Sequence, residues 1–163
     1  MKKENRTAFL RSTVIAMCTL FFGAFSSCSS DDGGSTTVPG GVGKQVKLTI
    51  TIDGATSEDY ISFVSVGSAL SNPSENTLWK VNGVTKTNEI GVSLGKNDFI
   101  GSTKTYVIES VTPLSLATVG MQFLAPGNTS YTISYKAEIN GQVVKDNNVT
   151  VTSTNDYTHD YSY

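Results

Sequence analysis

One pentapeptide has the residue spacing of a catalytic nucleophile. Residues 91–95 read G-x-S-x-G with Ser93 at the centre, a pattern in which a sharp strand-to-helix turn presents the serine to a base and an oxyanion hole. The turn requires a large parallel α/β sheet, but a lysine-asparagine-aspartate turn follows residue 95. The single histidine, His159, follows Asp146 and Asp156 in a terminal segment. We therefore keep a serine hydrolase using Ser93 as an alternative, and predict an ordinary strand residue in a protein that is not an enzyme.

Four rings alternate along the C-terminal segment. Tyr157, His159, Tyr161 and Tyr163 are separated by single polar residues, so in an extended chain they share one face. An aromatic strip of this kind can stack against a sugar ring or another apolar partner. These residues are a candidate ligand-stacking site, and the alternative is a terminal strand that covers a sheet edge or packs into the core.

Oxygen-bearing side chains occur in three predicted loops without the spacing of a known metal site. Calcium takes several oxygen ligands, and a single histidine excludes a multi-histidine cluster. We therefore predict no metal site and no cofactor, and interpret the loops as solvated turns. The residues concerned are Asp53, Glu58 and Asp59 in the first loop, Asn97 and Asp98 in the second, and Asp146 to Asn148 in the third.

The N-terminus has the order of a secretion signal, which is a basic segment, an apolar run and then small residues. The apolar run extends from Thr13 to Phe25, and the small residues Ser26 and Ser27 follow it. It is shorter than the roughly 18 to 20 residues that span a bilayer as a helix. Residues 1–27 are therefore predicted to be a removable signal peptide.

The next residue, Cys28, completes a stretch that resembles a bacterial lipobox. In a lipobox the cysteine thiol receives diacylglycerol and becomes the new N-terminus. Cys18 lies inside the apolar run behind the bulky Met17, where a peptidase that selects small residues would not cut. The resemblance implies lipidation of Cys28 and attachment to a membrane through the lipid, and the alternative is ordinary cleavage after Ser26.

Residues 28–43 are rich in serine, aspartate and glycine, a composition typical of a flexible tether. The sequence SSDDGG after the cysteine resembles the acidic tether of lipoproteins of the Bacteroidota, where it accompanies display on the outer face of the cell. This resemblance implies a lipid-anchored protein of the outer membrane, exposed at the cell surface.

Composition excludes several function classes. Removing 27 of the 163 residues leaves 136, with eight lysines, no arginine and 13 acidic residues, a formal charge of −5. No basic surface for nucleic acid is expected, and arginine clamps for phosphate are absent from this part of the sequence. With Cys28 acylated, no thiol remains for a disulfide.

Residues 44–163 are predicted to be a single β-sandwich domain. Strand alternation begins at Val46 and recurs through the chain, and the pairs at residues 82–83 and 140–141 are Asn-Gly hairpin signals. No stretch of ten or more residues has helical periodicity. The pattern predicts an all-β, antiparallel sandwich of about seven to nine strands.

The stretch from Leu124 to Gly141 is similar to the corner before strand F of a fibronectin type III or related immunoglobulin-like domain. In that pattern a leucine and a Pro-Gly turn precede a tyrosine whose hydroxyl holds the corner. The resemblance assigns these structural roles to Leu124, Pro126, Gly127 and Tyr131.

The expected function is a non-enzymatic surface binding or structural module. A glycan or a protein at the cell surface is the expected partner. A second alternative is a pilin-like subunit that assembles by strand exchange.

Overall fold

The computed structural model describes residues 41–163, so the predicted signal peptide, Cys28 and most of the predicted tether lie outside the described residues. The described part contains ten strands and one helical turn. No helix in it has the length and apolarity needed to cross a membrane. The elements are β1 (Val46–Asp53), β2 (Tyr60–Ala69), β3 (Trp79–Val81), β4 (Val84–Lys86), β5 (Gly91–Gly95), α1 (Lys96–Phe99), β6 (Lys104–Ser110), β7 (Leu114–Leu124), β8 (Ser130–Ile139), β9 (Gln142–Thr152) and β10 (Tyr157–Ser162).

The strands form two antiparallel sheets, which confirms the predicted all-β, antiparallel sandwich. The six-stranded sheet has the order β4-β3-β6-β1-β8-β9, and the four-stranded sheet has the order β10-β7-β2-β5. Ten strands are present where seven to nine were predicted. The additional strand is the aromatic C-terminal segment, β10, for which a terminal strand was the alternative prediction.

The apolar positions that alternate in the sequence meet between the two sheets. Every second residue of β1, from Val46 to Ile52, is buried. The rings of Phe63 in the four-stranded sheet and Tyr135 in the six-stranded sheet lie 6.3 Å apart, centroid to centroid. Period-two alternation therefore places one face of each sheet in a shared core.

Both predicted Asn-Gly hairpins are present. Asn82 and Gly83 have φ angles of 49° and 82°, and Asn140 and Gly141 have φ angles of 52° and 80°. Positive φ at both central residues defines a type I′ turn, whose twist matches that of paired strands. These turns connect β3 to β4 and β8 to β9.

One helical turn occurs where the sequence indicated only a loop. Asp98 accepts a hydrogen bond at 2.8 Å from the backbone N–H of Gly95, which begins the turn. Phe99, at its end, is buried with its ring 5.2 Å from that of Tyr106. Four residues are too few to show helical periodicity, so the pattern could not reveal this turn.

Ser65 is a fully buried residue whose hydroxyl has no hydrogen-bond partner among the described residues. An unpaired buried polar group costs about 1–3 kcal/mol, so Ser65→Ala is expected to raise the free energy of unfolding by about 1 kcal/mol, measured by urea denaturation. The matched control is Ser110→Ala. The Ser110 hydroxyl accepts from the Val46 N–H at 3.0 Å and contacts Gln45 at 3.3 Å, so this change should destabilise by about 1–2 kcal/mol. If both variants lost the same free energy of unfolding, the Ser65 hydroxyl would not be an unpaired buried group.

Candidate binding surface

The residues of the G-x-S-x-G pattern do not form a catalytic site with the histidine. Ser93 lies on β5, at one edge of the four-stranded sheet, with its side chain on the exposed outer face. His159 lies on β10, at the opposite edge, in the row of rings on the inner face. Three interstrand spacings separate the two strands, which is roughly 14 Å. His159 is therefore too far from Ser93 to act as its catalytic base.

The four C-terminal rings share one face of β10, and that face is turned toward the six-stranded sheet. Successive centroids from Tyr157 through His159 and Tyr161 to Tyr163 are 4.4, 5.7 and 6.1 Å apart. Tyr157 is buried, Tyr161 and Tyr163 are half-buried, and His159 is exposed. Of the four rings, only that of His159 belongs to an exposed residue.

Side chains of β8 and β9 hold these rings in place. Tyr161 stacks on Tyr135 at 5.6 Å, and the hydroxyls of Tyr135 and Tyr163 are 2.9 Å apart. The amide of Asn147 donates to the hydroxyl of Tyr157 at 2.7 Å. Burial raises the pKa of Tyr135, Tyr157 and Tyr163 above the ordinary value for tyrosine. We call Tyr135, Tyr157, Tyr161 and Tyr163 the tyrosine seam, because they close the side of the sandwich between β9 and β10.

The residues assigned to the structural corner lie between β7 and β8. The hydroxyl of Tyr131 is 3.3 Å from the carbonyl oxygen of Leu124 and 3.1 Å from that of Tyr60. Gly127 has a φ of 73°, and the Pro126 carbonyl accepts a hydrogen bond from a nearby threonine hydroxyl at 3.0 Å. Tyr131 of β8 is therefore tied to β7 and β2, two neighbouring strands of the opposite sheet.

Two carboxylates of the first acidic loop, Asp53 and Asp59, already have structural partners. Asp59 is buried and accepts hydrogen bonds from the N–H and hydroxyl of Thr56 and from the hydroxyl of Thr129. Asp53 accepts a hydrogen bond from Thr103. Within residues 41–163, no three carboxylate, thiol or imidazole side chains are grouped so that they could hold a metal ion.

The outer face of the six-stranded sheet is charged. Lys80, Glu109, Lys47 and Glu138 lie side by side across β3, β6, β1 and β8, so their charges alternate. The Lys80 ammonium is 3.4 Å from the carboxylate of Glu109, and a second pair joins Lys136 to Glu138 at 3.3 Å. We call this surface the charged face.

The outer face of the four-stranded sheet differs sharply. Asp160 is its only charged side chain, and the others are mostly glycine, serine, threonine and valine. Four of its apolar side chains are between 37 and 48% exposed: Tyr60, Val64, Val66 and Leu116. We call this surface the neutral face; its remaining outward positions are Ser62, Ser68, Gly91, Ser93, Gly95, Thr118, Gly120, Gln122, Leu124, Thr158 and Ser162.

A depression of about 280 Å³ lies in the middle of the neutral face, where β2, β7 and β10 run side by side. Gly120 is part of its lining and lies between Val64 of β2 and Asp160 of β10; the other lining residues are Ser62, Met121, Gln122 and Thr158. The sequence patterns did not predict this site, because hydrophobic alternation marks the residues that face the core and not those on the outer face. The one available signal was a glycine within the alternating pattern of β7, a position that often marks close approach of a ligand or backbone.

No protein-family model matches the chain, and no curated protein matches its sequence. Three solved structures are similar in fold. The calcium-bound form of a protein from Parabacteroides distasonis, solved by NMR, is 17% identical with a TM-score of 0.55, and the match covers 82% of this chain and 99% of that one. A DUF4425 family protein from Bacteroides ovatus is 10% identical with a TM-score of 0.53, and the match covers 74% of this chain and 94% of that one.

The third structure is a domain of unknown function, DUF4425, from Bacteroides vulgatus. It is 13% identical with a TM-score of 0.52, over 74% of this chain and 94% of that one. All three proteins come from Bacteroidetes, which is consistent with the kind of bacterium that the sequence indicated. At these identities the likeness shows the fold alone: the chain has the same β-sandwich fold as these proteins.

Proposed function

We propose that the protein is a lipid-anchored, non-enzymatic binding module displayed on the outer surface of the outer membrane, and that it binds its ligand through the neutral face. The single observation that carries this proposal is the difference between the two outer faces. Both are solvent-exposed surfaces of one domain, yet the charged face has alternating ion pairs and the neutral face has a single carboxylate, Asp160.

Exposed apolar side chains that lie close together commonly mark interaction sites, and the centres of interfaces are depleted in charge. Val64, Val66 and Leu116 lie within two neighbouring strands of the neutral face, β2 and β7, and all three are more than a third exposed. The charged face has the composition of an ordinary solvated sheet surface. The neutral face is therefore the surface with the chemistry of an interface.

The membrane anchor rests on the sequence around Cys28. The first strand begins at Val46, and the intervening stretch of serine, aspartate and glycine spans on the order of 20 Å if it behaves as a coil. That length would hold the domain clear of lipid headgroups. An acyl anchor with two or more chains binds a bilayer stably.

The immunoglobulin-like type of the sandwich is part of the same proposal. The Tyr131 hydroxyl contacts the Leu124 carbonyl seven residues earlier, as in the corner of such domains. Assembly by strand exchange has less support. The edge strand β9 has a bulge beside Ala137 and Glu138 of β8, and the Asn155 amide donates to the Thr150 carbonyl at 2.7 Å. Bulges and covered backbone groups both oppose pairing at an edge.

One of the similar structures is a calcium-bound form, but the Asp59 carboxylate of this chain is not free to bind calcium. Both carboxylate oxygens of Asp59 accept hydrogen bonds from threonines. In the loop that contains Asp59, the carbonyl of Ser57 accepts a hydrogen bond from the Lys96 ammonium at 2.8 Å. Calcium needs six to eight oxygen ligands, so we propose no calcium site at this loop.

Metabolic labelling with an alkyne fatty acid tests the anchor. The wild-type protein and Cys18→Ser are expected to incorporate the label equally, because Cys18 lies within the predicted signal peptide. Cys28→Ser is expected to lose it entirely, because acylation requires that thiol. Incorporation of label by Cys28→Ser at the wild-type level would overturn the anchor.

A further inference from the structure

We infer that the depression around Gly120 is a binding site for a neutral carbohydrate, with one sugar ring seated on Gly120 and the chain extending along β2 toward Tyr60. The inference deepens the proposed function and rests on it, since it names the ligand class of the neutral face. Four observations carry it: the glycine in the lining, the polar side chains around it, the absence of positive charge and the exposed tyrosine beside it.

Gly120 is not required by the backbone at its position. It lies in the middle of β7 in continuous register with Val64 on one side and Asp160 on the other, and it is not among the glycines with positive φ. A Cβ at this position would lie 3.2 Å from the Asp160 carboxylate oxygen. A glycine in a regular strand weakens the strand, so its effect here is to open the depression beside that carboxylate.

The rim of the depression carries hydrogen-bonding groups that the rest of the described protein leaves unused. None of the hydrogen bonds and ion pairs among residues 41–163 involves the side chains of Ser62, Gln122, Thr158 or Asp160. Together they offer a carboxylate, an amide and two hydroxyls. Sugar hydroxyls both donate and accept, so this mixture of donors and acceptors suits them, whereas an apolar ligand would leave these groups unpaired.

The charge of the neutral face indicates which class of polar ligand the depression can bind. Asp160 is the only charged side chain on the neutral face, and no lysine lies on the outer side of the four strands. A phosphate, a sulfate or an acidic sugar would meet a carboxylate with no cation to offset it, and this pairing is unfavourable. The site therefore favours an uncharged ligand that is rich in hydroxyl groups.

The surroundings suit a chain of sugars more than an isolated small molecule. The depression is open and, at about 280 Å³, lies at or below the lower end of the range for enclosed small-molecule pockets. Tyr60 is 48% exposed and precedes Ser62 by two residues on the same face of β2, which places it about 7 Å farther along the strand. An exposed tyrosine ring can stack on the C–H face of a second sugar.

The test uses residues 28–163 with Cys28→Ser, which includes the whole described domain and removes the lipid. Isothermal titration with malto-, cello-, xylo- and mannohexaose is expected to show binding of at least one neutral oligosaccharide. Hexagalacturonate, which is acidic, is expected not to bind. Gly120→Ala and Asp160→Asn should each weaken the neutral ligand at least tenfold. Gly95→Ala is the matched control on the same face, because a Cβ there meets only ordinary contact at 3.9 Å, and it should bind as the parent does.

Three results would overturn the inference: no binding of any neutral oligosaccharide, equal affinity in the parent and both variants, or a dimer in sedimentation that Thr118→Lys on the neutral face dissolves. Thermal unfolding of Gly120→Ala controls for its folding, and Asp160→Asn, which keeps the size of the side chain, gives an independent reading if the glycine variant unfolds. A negative titration result would not bear on the acylation of Cys28, which the fatty-acid labelling tests. The carbohydrate site and the membrane anchor can therefore be refuted independently.

Discussion

Replacing Trp79 by alanine is expected to lower the free energy of unfolding by about 3–5 kcal/mol, as large truncations in a packed core do. Trp79 is fully buried, and its indole N–H donates to the Ile90 carbonyl at 2.9 Å. Its ring lies so close to Gly67 of the opposite sheet that a Cβ there would come within 3.0 Å of it. The substitution thus creates a cavity between the sheets and removes one of the two hydrogen bonds that the Ile90 carbonyl accepts; the Gly67 N–H donates the other at 3.1 Å.

Urea denaturation followed by circular dichroism measures this loss. Tyr60→Ala is the matched control, because Tyr60 is another large aromatic residue but is 48% exposed, and its truncation should change stability by no more than about 0.5 kcal/mol. A loss below about 1 kcal/mol for Trp79→Ala would contradict the burial of its ring between the sheets.

Raising the pH above 10 is expected to unfold the domain cooperatively. Burial, reinforced by Asp59, raises the pKa of Tyr131 well above its ordinary value of 10.0, and burial with the Tyr163 hydrogen bond does the same for Tyr135. Above pH 10 the unfolded chain releases these protons while the native protein retains them. Because the unfolded state then binds fewer protons, the free energy of unfolding falls as the pH rises.

The measurement is a pH titration that records circular dichroism and phenolate absorbance together. The phenolate signals of Tyr131 and Tyr135 should appear only as the fold is lost. Tyr135→Phe keeps the ring and removes the ionisable hydroxyl, so its stability should depend less steeply on pH above 10, whatever its stability at neutral pH. Complete phenolate formation before any loss of structure would refute this explanation.

Most of the fold follows from local patterns in the sequence. The alternation from Val46 to Ile52 and the two Asn-Gly pairs specify strand faces and turns within a few residues of themselves. The order of strands in the two sheets does not follow from such patterns, because it depends on contacts between distant segments. Helix α1 is likewise too short to give a periodic signal.

The candidate site was harder to predict than the fold. The alternation of Tyr157, His159, Tyr161 and Tyr163 correctly places them on one face, but a sequence does not show which face of an edge strand meets the other sheet. In the structure this face forms the tyrosine seam. The opposite face of β10 borders the Gly120 depression through Thr158 and Asp160, and three strands that are remote in sequence must come together to create it.

Thiol labelling on intact cells tests the central claim, that the neutral face carries the ligand of a surface-displayed protein. With Cys28 acylated, the mature chain has no free thiol, so Thr118→Cys reports on the neutral face and Thr132→Cys on the charged face; both threonines are exposed. A membrane-impermeant maleimide is expected to label the two purified variants equally. On intact cells Thr132→Cys should label fully and Thr118→Cys several-fold less, because the ligand covers it. Equal labelling of both on cells, or labelling of neither until the cells are lysed, would contradict the account.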